Sequence, residues 1–267
     1  MNFGAYYKQE ERYFTWKIGA NYQKNTYNWY GLPSSITFLP ATIDAINPKQ
    51  SYANFDLDTE IVFEDFYINS IKANVTSFTD ALSSKELRFT LQPQFRISLK
   101  NLGRKFNNLI LDTSIDYING EFAQSYNATN KLEFSFFTIG ALPKYNFEYN
   151  DFNFRLGTKI YFTSDLENKI SQVFIYPDVN IAYPLVANYV NAYVGAGGDL
   201  HTNTFKNFSS ENPYLSPTQF ITQTNNKYEL YGGVNGKLSQ NVNYNLRASY
   251  SDIEDKPMFI RNNSKSD

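Results

Sequence analysis

The single histidine, His201, stands two residues after Asp199, with Ser209 and Ser210 a short way downstream. A neutral imidazole beside a carboxylate can act as a general base or supply one metal ligand, and a serine in reach would make an esterase of it. No nucleophile motif surrounds these serines, and one histidine cannot build a multi-histidine site. The expectation is a plain strand-end residue, no catalytic group and no enzyme. Asp56, Asp58 and Glu60 recur at every second position, a spacing whose oxygens could hold Ca²⁺ if a loop supplied more ligands. The alternative is a ladder of opposite charges. Lys72 would lie on the next strand, and Arg88, Arg96 and Lys100 would face Asp112 and Asp116 across another hairpin. The ladder is the better reading, so no metal and no cofactor is expected. The absence of cysteine excludes disulfides and thiolate-bound metals. A net charge of −2, with no run of basic residues, argues against nucleic acid as a partner.

The elements that would position these groups are strands. In Leu87–Lys100 (LRFTLQPQFRISLK) the odd positions are all apolar and the even ones all polar. A period of two with such a clean division means a strand with a different solvent on each side. Eleven further segments repeat the scheme, among them Phe55–Phe63, Leu109–Tyr117, Phe137–Tyr149, Phe152–Phe162 and Tyr244–Tyr250. Mean hydropathy is only −0.47, because averaging over alternating residues hides an apolar face.

Connections expected to be tight (Gln9–Arg12, Glu64–Phe66, Asn101–Lys105, Asn150–Asp151, Pro184–Asn188, Ser239–Asn243) alternate with ones expected to be long and polar. The long ones are Lys24–Ser51, Thr79–Lys85, Asn119–Lys131, Ser164–Lys169 and Thr204–Asn226. Keeping long loops at one end is the habit of an outer-membrane barrel. Aromatics, 18% of the chain, gather beside the tight turns, as at Tyr145, Phe147, Tyr149, Phe152 and Phe154. Such rings suit the boundary between lipid tails and headgroups. Pro93, Pro143 and Pro177 recur at equivalent places on alternate strands, which predicts a belt of bulges. Gly195, Gly197, Gly198, Gly232, Gly233 and Gly236 fall in neighbouring strands and predict either strong curvature or the close approach of another backbone.

The fold expected is therefore all-β: a transmembrane, antiparallel, up-and-down barrel with about twelve strands visible, part of a larger barrel. Residues 1–267 would form one barrel domain. Arg88, Arg96, Asp112, Asp116, Arg155 and Lys159 would line the lumen, and outer-membrane lipid would cover the other face. Trp29, Tyr30 and Tyr214 sit in the large loops, where they could either bind a ligand or pack together and close the mouth.

The segments YNWYGLP (Tyr27–Pro33), INPKQSY (Ile46–Tyr52), ENPYLSPT (Glu211–Thr218) and YELYGGVNGKLSQNVNYNLRASY (Tyr228–Tyr250) resemble TonB-dependent-receptor-like outer-membrane β-barrel proteins. The resemblance implies the outer membrane of a Gram-negative cell and the binding or uptake of a nutrient. In full receptors it also implies a barrel of about 22 strands, a plug, and contact with the TonB complex through an N-terminal region. Neither a plug nor that region is visible in this sequence. The rival expectations are a passive porin-like channel, a structural barrel in a surface complex, an outer-membrane lipase and a soluble β-sandwich.

Overall fold

The computed structural model describes residues 1–28, 39–40, 49–64, 66–99, 108–123, 132–186, 189–216, 218–239 and 241–260. Twelve antiparallel strands follow one another in a single sheet in chain order. They are β1 (Asn2–Glu10), β2 (Phe14–Asn28), β3 (Lys49–Phe63), β4 (Ile68–Asp80), β5 (Lys85–Ile97) and β6 (Leu109–Phe122). The rest are β7 (Leu132–Tyr149), β8 (Phe152–Asp165), β9 (Ile170–Val186), β10 (Val190–Thr202), β11 (Gln223–Ser239) and β12 (Val242–Glu254). One short helix, α1 (Phe205–Glu211), lies between β10 and β11. The sheet is not closed: β1 pairs with β2 alone and β12 with β11 alone.

The register keeps the two faces apart. Phe55 stands opposite Tyr22, Leu57 opposite Ala20 and Ile61 opposite Trp16, all on one side. Phe89 with Tyr117 and Ile160 with Ile175 continue that side along the sheet. The polar side is the concave one, because hydrogen bonds there skip intervening strands. Tyr176 on β9 donates to Asn225 on β11 at 2.6 Å, and Gln223 on β11 reaches Thr138 on β7 at 3.0 Å. Only a sheet curled around that face allows such contacts. The apolar face is left outside and open, with Ile175 68% exposed and Leu246 68% exposed. Large apolar side chains arrayed in this way require an apolar solvent.

Several connections differ from expectation. Those between β4 and β5 and between β8 and β9 shrink to the tight turns Ala81–Ser84 and Leu166–Lys169, since the strands run further than the apolar pattern does. An aspartate organises each turn. Asp80 Oδ1 accepts from the N–H groups of Leu82 and Ser84, and Asp165 Oδ1 from those of Glu167 and Asn168. This is the turn-making chemistry of Asp, and it needs few residues. Asn150–Asp151 is a two-residue hairpin turn with φ of 48° and 66°, as a primed turn demands. Beside it the convex aromatics stack, Phe147 on Phe154 at 4.8 Å and Phe152 near Tyr183 at 4.5 Å.

The prolines form a belt, with irregular pairing beside two of them. The β4–β5 register shifts opposite Gln94 and Phe95. The β9–β10 ladder ends at Val179, short of Pro177, where β10–β11 shifts between Gly197 and Asp199. Pro143 and Pro177 both lie level with Thr158 of the strand between them, and the β5–β6 pairing past Pro93 and the β7–β8 pairing past Pro143 resume without a shift. The ladder simply lacks a donor there, and threonine hydroxyls serve neighbouring carbonyls instead. Thr113 donates to Pro93 O at 3.0 Å and Thr158 to Tyr176 O at 2.8 Å.

The glycines also have a local reason. Gly195 is directly opposite Tyr231, Gly233 opposite Tyr193, Gly140 opposite Tyr161 and Gly120 opposite Phe134, all on the concave side. Each aromatic ring lies over the bare backbone of its partner; a Cβ on Gly140 would stand 2.8 Å from the Tyr161 ring. Gly195→Ala would also meet Val179 O at 2.6 Å, a backbone atom that cannot step aside. The expected cost is about 1–3 kcal/mol. At Gly197 a Cβ meets nothing within 4 Å, so Gly197→Ala should change stability by less than about 0.5 kcal/mol. Urea midpoints of the two variants in detergent micelles check this contrast.

Candidate functional site

The concave wall carries the chemistry of the molecule, and cross-strand pairing decides who meets whom. Arg88 of β5 holds Asp116 of β6 in a two-pronged contact, Nε to Oδ1 at 2.8 Å and Nη2 to Oδ2 at 2.7 Å. Asp112 accepts from Lys144 Nζ on β7 at 2.7 Å and from Gln94 Nε2 on β5 at 2.7 Å. Arg96 is exposed and donates to Asn69 Oδ1 at 2.6 Å, rather than to a carboxylate. Lys159 on β8 reaches over β9 to Asp199 on β10 at 2.8 Å, and Tyr161 donates to the same carboxylate at 2.9 Å. Arg155 approaches Asp178 at 3.6 Å. All six residues expected at the lumen thus stand on the concave face, though Asp112 pairs with a lysine rather than with Arg96. Lys100 lies outside the described residues.

Asp56, Asp58 and Glu60 do not converge. Asp56 accepts from Lys206 Nζ at 2.7 Å, Asp58 from Asn74 at 2.6 Å, and Glu60 pairs with Lys72 at 3.2 Å. Among the described residues no group of three or more His, Asp or Glu side chains is arranged to hold a metal. His201 is exposed, and Asp199 is engaged by Lys159 and Tyr161. Ser209 and Ser210 both donate their hydroxyls to Lys206 O, at 3.0 and 2.8 Å. A hydroxyl proton committed to a helix carbonyl is not poised for transfer to an imidazole.

At the end of the sheet bearing the β10–β11 connection the alternation breaks. Tyr52, Phe78, Ile118, Phe122, Phe134 and Phe136 all occupy concave positions and are buried. Their cover is that connection, whose described residues 203–216 and 218–222 reach from β10 across to the wall formed by β3–β6. Thr204 caps α1, its side chain accepting from the Asn207 N–H at 3.0 Å. Phe205, 1% exposed, enters a ring of aromatics edge-on, with centroids 5.0 Å from Phe122, 5.5 Å from Phe78 and 6.1 Å from Tyr52. Glu86, 3% exposed, accepts from the N–H groups of Phe205 at 2.5 Å and Lys206 at 3.4 Å. Tyr52 donates to Pro213 O at 3.1 Å, and Leu215 and Ile221 complete the cluster.

Below α1 remains a polar recess of about 340 Å³, between Lys206 and Asn207 above and Asp56, Thr76 and Arg88 on the wall. A second recess, of about 530 Å³, runs along the wall past Glu60, Lys72, Gln92, Gln94 and Asp112. Of the three loop residues expected to meet a ligand, Tyr214 is exposed with its ring 6.4 Å from that of Tyr27. Trp29 and Tyr30 lie outside the described residues. The inward-crossing segment carries no regular period in the sequence. Its trace in the sequence is the run of apolar residues on the otherwise polar parity: Tyr52, Phe78, Ile118, Phe122, Phe134 and Phe136.

No protein-family model matches the sequence, and no curated protein does. Among solved structures, the TonB-dependent receptor chain of the FpvAI–pyocin S2 complex superposes on 93% of this chain with a TM-score of 0.59 and 12% identity. The chain spans 41% of the length of that receptor. The translocator domain of the autotransporter NalP from Neisseria meningitidis covers 91% at a TM-score of 0.34, again with 12% identity, a superposition too loose to build on. The likeness is one of fold: an all-β, up-and-down wall of the outer-membrane barrel type, forming part of a barrel. That fold points to the cell outer membrane.

Proposed function

We propose that this chain is barrel wall from an outer-membrane receptor or transporter that binds or takes up a nutrient, with a non-enzymatic role. The observation that carries the reading is the division of the sheet into two solvents. An open apolar convex face suits lipid, and a concave face of paired charges, amides and hydroxyls suits a hydrated path for a polar solute. The open edges of β1 and β12 support a barrel of more than twelve strands, since unpaired backbone groups are not tolerated in a bilayer. Coupling to a TonB complex belongs to the same proposal, through a segment N-terminal to the wall. Arg88, Arg96, Asp112, Asp116, Arg155 and Lys159 are the wall residues assigned to solute contact, and Arg96 is the one held by a neutral amide.

The test is depletion of solutes from defined medium by cells with and without the gene. At least one small solute should persist in the medium of the deletion strain and disappear again on complementation. Identical depletion profiles over all solutes detected would remove the transport reading. The intact mass of the native polypeptide from outer membranes tests the size of the barrel. A mass well above 30.9 kDa is the expected result, and one equal to it would require the twelve strands to close on themselves.

A further inference from the structure

We propose that the first part of the β10–β11 connection, residues 203–216, is an internal gate, docked against the inner wall in this structure and released to let a solute pass. The proposal rests on the reading of the chain as an outer-membrane barrel. Its basis is where the segment is anchored. Both ends of the connection join adjacent strands, β10 and β11, and Asn203 and Phe208 keep contacts on that side. Yet Phe205, Lys206 and Pro213 are held by β3, β4, β5 and β6 across the interior. A loop that only had to join neighbours would not cross to the far wall.

The anchorage has two parts of different chemistry. Phe205 fills an aromatic socket made by Tyr52, Phe78 and Phe122. The buried Glu86 carboxylate holds the Phe205 and Lys206 N–H groups, while Lys206 extends to Asp56. Phe205 and the Glu86 carboxylate are the two anchors nearest the start of the segment, and Lys206–Asp56, Tyr52–Pro213 O and the buried Leu215 and Ile221 add to them. Beside the aromatic cluster, α1 also borders the polar recess of about 340 Å³, so part of the docked segment lies over hydrophilic space. Undocking would widen that recess and leave the sheet intact, because no strand pairing depends on α1.

Swelling of liposomes that carry the whole native polypeptide, suspended in arabinose, tests this. The Phe205→Ala/Glu86→Ala variant removes socket and latch. A docked majority with an open form below ~10% becomes mainly open, and permeation should rise about ten-fold. A second variant, Lys206→Cys/Asp56→Cys, is cross-linked with a short bis-maleimide; residues 1–267 hold no other cysteine, and any elsewhere in the polypeptide is replaced by serine first. Permeation should then fall below the wild-type rate. Folding of each protein is judged by heat-modifiable migration. Folded proteins with unchanged permeation in both arms would overturn the gate. If the release variant does not fold, the cross-linked arm decides alone, and a rate equal to wild type would identify a static brace. A wild-type chain that neither inserts nor shows heat-modifiable migration would overturn the barrel reading itself, and the gate with it.

Discussion

Phe205→Ala should abolish protection of the Phe205 and Lys206 amide hydrogens against exchange while leaving the sheet amides protected. Truncating a fully buried phenylalanine costs about 3–5 kcal/mol through lost transfer energy and the cavity left behind. Phe205 is buried among Tyr52, Phe78 and Phe122. The loss falls on one segment, since α1 takes no part in strand pairing. Local opening therefore replaces global unfolding. Measured by hydrogen exchange, the opening free energy of α1 should fall nearly to zero, with the urea midpoint of the barrel close to wild type. Retained protection at Phe205 and Lys206 would mean that the Glu86 latch and the Lys206–Asp56 pair suffice alone.

Asp116→Ala should destabilise the wall itself. Arg88 and Asp116 have side chains only 28% and 16% exposed, and their contact is two-pronged. Removing one member of a fully buried pair costs about 3–5 kcal/mol, because the remaining charge is left without its partner. Residual exposure to lumen water lowers this to roughly 2–3 kcal/mol here. Arg88→Met/Asp116→Leu removes both charges together and should recover most of the loss. A double-mutant cycle on urea midpoints measures the coupling. Additive single and double losses would show that the pair contributes nothing beyond its separate parts.

Parity alone made the fold legible. In β5 the odd apolar and even polar residues of Leu87–Lys100 identify both faces, and the same alternation places each of the twelve strands. The Asn150–Asp151 turn was readable because that residue pair favours positive φ. Partners across strands were less legible, because they depend on register. Asp112 meets Lys144 only once β7 is laid beside β6. The glycines reveal their purpose only when Tyr231, Tyr193 and Tyr161 are placed opposite them. The short turns at Ala81–Ser84 and Leu166–Lys169 look long in sequence, since polar strand ends such as Thr79 and Ser164 resemble loop. Helix α1, FKNFSSE, is too short for a 3.6-residue period to emerge. Its docking joins residues more than a hundred positions apart, as with Glu86 and Phe205.

The central claim is that the convex face meets lipid and the concave face meets water. Cysteines placed singly at Leu91 and Gln92, adjacent in β5 and on opposite faces, can each carry a fluorophore in the membrane-embedded protein. Spin labels on the lipid chains should quench the probe at position 91 strongly and the one at position 92 weakly, with the order reversed for a water-soluble quencher. Equal quenching at the two positions by either agent would contradict the membrane barrel and everything built on it.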